Sequence, residues 1–158
     1  MNLDHPDFQI LFDSLLYMAK HLLNEQNAFL PIGAIVTQDG KPAHVGASPK
    51  EEQPGAQIAL QLLESGLRNM AAKGTCRAAG VALDVRLKSG DWKDAIWMTL
   101  EETGGKSQGV IVPYAKSWMG GFKFGDPSAG PENRRIAYCV DTLRRNAGAA
   151  IFALPPRQ

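Results

Sequence analysis

Apolar side chains recur at helical spacing through Phe8, Leu11, Phe12, Leu15, Met18, Ala19 and Leu22, with Asp13, Ser14, Lys20 and His21 toward the other side. This predicts an amphipathic first helix ending near Asn24. Asp4 is placed to cap it, Pro6 falls in the first turn where a missing N–H costs nothing, and Asp7 carries the charge favoured at that end. Residues 29–37 are apolar and rich in β-branched side chains, and Asp39-Gly40 then signals a tight hairpin with 42–46 as the return strand. Pro31 and Pro42 cannot donate to a ladder, so they belong at strand starts or on an edge, and the return strand is expected to be an edge. Helical period reappears at Ala56, Ala59, Leu62, Leu63, Leu67, Met70 and Ala71, stopped by Lys73-Gly74.

From Ala79 onward the pattern changes to alternation. Val81, Leu83, Val85 and Leu87 are apolar while Asp84 and Arg86 fall between them, as in a strand with one buried face. Ser89-Gly90-Asp91 turns it, 95–102 is a second strand, Gly104-Gly105-Lys106 a tight turn, and 109–115 a third strand, giving an antiparallel meander. Residues 117–131 are glycine-rich yet hold Trp118, Met119, Phe122 and Phe124, and read as the longest loop. Beyond it, Ile136, Cys139, Val140, Leu143 and Ala147 share one arc of a third helix that stops near Gly148. Residues 149–154 read either as a final short strand or as an apolar tail packed on the domain.

The element order is therefore α-β-β-α-β-β-β-α, and the fold class α+β: an antiparallel sheet of about five strands with two to three helices packed on it. In that order the chain resembles the roadblock and longin modules of the profilin-like group, which pack helices on a five-stranded antiparallel sheet. The resemblance lies in topology alone and assigns no functional residue.

Length and composition narrow the setting. A chain of 158 residues with 44% apolar and 21% charged side chains suits one globular domain spanning 1–158. Seventeen basic against sixteen acidic residues leave a formal charge of +1, which lacks the positive field of a protein that tracks phosphate backbones, so nucleic acid is not an expected partner. The acidic start and the absence of an apolar run of about 20 residues point away from a signal peptide and a membrane span, and a cytoplasmic location is the expectation. Cys76 and Cys139 are expected as reduced thiols.

Motifs that hint at chemistry fail on context. His5-Pro6-Asp7 is the tripeptide of J-domains, but there it joins two helices, and here it serves as a helix start. Gly105-Lys106-Ser107 matches the end of a phosphate loop, yet Leu100 stands where the first glycine is required, and the lysine sits between strands. Glu101 and Glu102 are adjacent on a strand, hence on opposite faces, and cannot serve one substrate together. His5, His21 and His44 with the two distant cysteines show no metal-ligand spacing. No elbow motif places a base beside a serine or thiol. Neither a metal nor another cofactor is therefore expected.

What remains is the 117–131 segment. Large apolar groups on a glycine-rich connection form an exposed patch, a lid, or a cover for the open sheet face. Two functional expectations follow. The first is a non-catalytic protein-interaction or assembly module, a homodimer in contact through a sheet edge or through Trp118, Phe122 and Phe124. The second is a small-molecule-binding protein or enzyme, with a pocket between that segment and Asp84, Arg86 and Tyr114.

Overall fold

The computed structural model describes residues 3, 5–46, 55–88 and 90–130. It shows α1 (Pro6–Gln26), β1 (Ile32–Thr37), β2 (Pro42–Gly46), α2 (Ala56–Ala72), β3 (Cys76–Arg86), β4 (Asp94–Glu102), β5 (Ser107–Lys116), β6 (Phe122–Phe124) and β7 (Ser128–Ala129). The third helix, the 149–154 segment, Cys139 and the capping residue Asp4 lie outside the described residues. The class is α+β, with an antiparallel sheet in the order β2-β1-β3-β4-β5-β6 and β7 added on β5.

The first helix starts as its proline requires, with a different cap. His5 is the N-cap, its Nδ1 accepting from the Asp7 N–H at 3.0 Å, and Pro6 occupies the first turn. The helix ends in left-handed Asn27 (φ 67°), whose N–H donates to the Leu23 carbonyl at 2.8 Å. Asp7 is buried and receives a bidentate grip from Arg77, with Nε to Oδ2 at 2.9 Å and Nη2 to Oδ1 at 3.0 Å. That fork fixes the start of α1 against β3.

Each helix covers one face of the sheet. On the α1 face, Phe8, Leu11 and Leu15 bury themselves among Ala34, Val36, Met98 and Val110. Opposite, Leu60, Leu63 and Leu67 of α2 pack on Ile35, Val81 and Leu83. Each large side chain removed from water contributes about 1.5–3 kcal/mol before entropy is set against it.

The strand β3 is a central strand buried on both faces, not on one. Its even positions Ala78, Gly80 and Ala82 are small because α1 lies close above them: a Cβ on Gly80 would meet Leu15 Cδ1 and Leu100 Cδ2, each at 3.0 Å. Alternation of large and small side chains, rather than of apolar and polar ones, marks this strand. Gly33 plays the same part under α2, where a Cβ would come within 2.8 Å of Leu63 Cδ1.

The segment expected to be a long loop is ordered by strand pairing. β6 pairs with β5 through Tyr114↔Phe124, Ala115↔Lys123 and Lys116↔Phe122, and β7 pairs with β5 further along. Gly120 (φ 98°) and Gly121 (φ 74°) supply the left-handed conformations the turn needs. Phe122 and Phe124 then point to one face with Lys123 between them, an alternation too short to stand out among the glycines.

Candidate functional site

The β5–β6 hairpin gathers most of the aromatic residues singled out from the sequence, and it divides them. At its base Tyr114 is buried, and its ring meets Phe122 edge-on (centroids 5.8 Å, 76°) and Phe124 at a tilt (6.3 Å, 50°). Both phenylalanines are half-buried against the α1 core, and Lys20 of α1 sets its ammonium 4.7 Å above the Phe124 ring centroid. Lys116 at the end of β5 reaches Asn27 Oδ1 at 3.1 Å. The hairpin base is thereby held to the C-terminal end of α1.

Asp84 lies beneath this cluster. The Tyr114 hydroxyl donates to its Oδ1 at 2.6 Å, and the Phe29 N–H donates to its Oδ2 at 3.3 Å. Burial pushes the Asp84 carboxyl above its ordinary value, an effect opposed by these two hydrogen bonds. Burial likewise drives the Tyr114 phenol well up, reinforced by its bond to the carboxylate and by the charges of Asp84 and Asp94. Both carboxyl oxygens are engaged and the phenol is held neutral, so the pair fixes β3 to β5 across the sheet rather than presenting a free acid or base.

Arg86 does not join them. It is largely exposed and faces Asp94 with Nε to Oδ1 at 3.8 Å, and its charge acts on Asp84 only from a distance. The structure thus brings together Asp84, Tyr114, Phe122 and Phe124, and leaves Arg86 apart.

At the hairpin tip the surroundings reverse. Trp118 is 92% exposed and Met119 76% exposed. The turn under them is closed by Ser117 N–H to the Gly121 carbonyl (2.9 Å), Gly120 N–H to the Ser117 carbonyl (3.1 Å) and Met119 N–H to Ser117 Oγ (3.2 Å). An indole and a thioether are therefore held in water on a defined backbone. Behind them, Lys123 lies over the Trp92 ring at 5.8 Å, and the Gly125 N–H donates to the Pro113 carbonyl at 2.8 Å.

Two polar clusters escaped the sequence reading. Ser14 Oγ of α1 lies 2.8 Å from His44 Nε2 of β2, in a groove of about 440 Å³ lined by Ile10, Asp13, Ser14, Tyr17, Pro42 and His44. The same Nε2 stands 3.3 Å from the Ser14 carbonyl, which calls for an N–H there, and Asp13 accepts from Gln9 at 2.9 Å. The contact reads as a tie between helix and strand, not an activated nucleophile. The second cluster is a polar cleft of about 330 Å³ lined by His5, Pro6, Asp7, Arg77, Glu102 and Thr103. Glu102 there accepts from the Gly104 and Lys106 N–H groups, which hold its carboxyl below the usual range. Ser14 and His44, and the Asp7, Arg77 and Glu102 walls of the cleft, come from segments tens of residues apart, so no local motif could announce either cluster; one hint is that Ile10, Ser14 and Tyr17 fall along one stripe of α1.

Among the described residues no three His, Cys, Asp or Glu side chains gather as a metal would need, and no helix is long and apolar enough to cross a membrane. No family model, curated protein or solved structure matches the chain.

Proposed function

We propose that this protein is a non-catalytic interaction and assembly module that associates with itself and offers the β5–β6 tip to a protein partner. The observation that carries the reading is the exposure of Trp118 and Met119 together on a hydrogen-bonded turn. Tryptophan is the residue type most enriched among interface anchors, and methionine adapts its shape to the pocket it enters. A single exposed apolar residue is ordinary on a protein surface, but an adjacent pair on a hydrogen-bonded, preorganised turn lowers the ordering cost of docking.

The test is affinity capture with the wild type and Trp118→Ala side by side, followed by titration of each against the captured protein in purified form. The expected result is affinity weakened by at least about 30-fold in the variant, corresponding to loss of an interface anchor. Equal affinity for both, or no partner retained by the wild type, sinks the reading.

A further inference from the structure

The two edges of the sheet are built differently. The β6 edge is three residues long and carries Lys123, the length and charge that blunt unwanted strand pairing. The β2 edge reads Pro42-Ala43-His44-Val45-Gly46, exposed or half-buried throughout, with no charged lysine, arginine or carboxylate in it. Its one protective feature is the proline at its start.

The hydrogen-bond phase of the β1–β2 hairpin decides which groups of that edge face outward. The Thr37 N–H donates to the Lys41 carbonyl at 2.8 Å, which makes Thr37 and Lys41 a hydrogen-bonded pair. Alternation then makes Ile35↔Ala43 and Gly33↔Val45 the next such pairs. Pro42, His44 and Gly46 consequently turn their backbone groups away from β1. Among the described residues β2 pairs with β1 alone, so these groups have no strand beyond them.

That outward row is complementary to itself. With a second β2 laid antiparallel and centred on His44, the His44 N–H of each copy meets the other's His44 carbonyl. The Gly46 N–H of each meets the other's Pro42 carbonyl. The missing N–H of Pro42 falls at the end of the pairing, where its loss is least felt. Both α1 helices then lie on the same face of the joined sheet, with the groove of each copy, walled by Ile10, Asp13 and the 69% exposed Tyr17 and floored by Pro42 and His44, on the side of the seam.

We propose that β2 is a homodimerisation edge, pairing antiparallel with β2 of a second copy about a two-fold axis on His44 to join two sheets into one. The inference takes self-association from the function proposed above and supplies the surface for it; the hairpin tips stay free at the far ends of the joined sheet.

Sedimentation equilibrium of the full chain across the micromolar range tests it, with His44→Pro, His44→Lys and Ser14→Ala beside the wild type. His44→Pro removes the two central donors yet leaves the β1 pairing intact, and His44→Lys sets like charges directly opposite; each is expected to weaken the dimer at least about tenfold. Ser14→Ala cuts only the side-chain tie to His44 and is expected to leave the dimer within about threefold. Amide exchange on the wild type checks the pairing without any substitution, since the His44 and Gly46 amides should lose protection on dilution. A monomeric wild type, a dimer indifferent to both His44 variants, or edge amides that exchange freely at every concentration overturns the proposal. A monomer whose capture of another protein depends on His44 overturns it as well, by assigning the edge to a different chain. A dimer that survives Trp118→Ala while the tip captures nothing would instead sink the tip reading and leave the edge standing.

Discussion

The base and the tip of the β5–β6 hairpin are built from the same kinds of side chain and are only a few residues apart. At the base, Tyr114, Phe122 and Phe124 contact one another and the α1 core. At the tip, Trp118 and Met119 contact mainly water. The turn geometry produces the difference. Strand pairing with β5 alternates Phe122 and Phe124 onto the covered face, while the left-handed pair Gly120-Gly121 closes the turn on which Trp118 and Met119 are exposed. Base and tip should therefore separate cleanly in mutation: one set changes stability and the other recognition.

The largest expected effect is at the base. Phe124→Ala removes a half-buried ring together with its contact to Tyr114 and the cation above it. The expected loss is about 2–3 kcal/mol, below the range for a fully buried phenylalanine because part of the ring already meets solvent. Urea denaturation reads it. A loss under about 0.5 kcal/mol would place Phe124 with ordinary surface residues and erase the distinction between base and tip.

Tyr114→Phe comes next, at about 1.5–3 kcal/mol, since it withdraws the hydroxyl donor from the Asp84 carboxyl and leaves it, among the described residues, the Phe29 N–H. Its pH dependence is the sharper signature. The folded phenol titrates above its ordinary value, so its contribution is fully present below about pH 10 and is lost as pH rises through the folded value. The gap in stability between wild type and Tyr114→Phe should narrow at alkaline pH. Asp84 has the same sign in acid: with its folded value raised, its contribution is greatest below pH 3.8 and fades as pH rises. A constant gap across the alkaline range would show that Tyr114 does not carry the linkage.

How much of this was legible depends on the distance over which each interaction acts. Both described helices, the Asp39-Gly40 hairpin and the meander follow from local period and turn chemistry, and their observed bounds differ by a few residues. Local pattern does not reveal β6, because its Phe-Lys-Phe alternation spans three residues and is stabilised by pairing with β5, not by its own propensity. Asp84 and Tyr114 stand out in the sequence as polar strand residues, but that they bond to each other follows from the β3–β4–β5 register, which the sequence does not display. Arg86 shares a face with Asp84, yet it sits at the strand end where its long stem reaches water. The Asp7–Arg77 fork and the Ser14–His44 tie connect elements far apart in the chain, and periodicity carries no trace of either.

The smallest expected change in stability comes from Trp118→Ala, and that smallness is informative. The indole is almost wholly exposed in the folded protein, so truncation removes little buried surface and leaves the turn's backbone hydrogen bonds in place. The unfolding free energy should stay within about 0.5 kcal/mol of the wild type. An indole that stabilises nothing at the tip, beside rings that stabilise much at the base, is the pattern expected where a large apolar side chain is retained for what it meets outside the molecule. Should Trp118→Ala instead cost as much as Phe124→Ala, the tip would be covered in solution by the chain itself or by another copy, and the same measurement repeated across protein concentrations would tell these apart: only cover by another copy makes the cost grow with concentration.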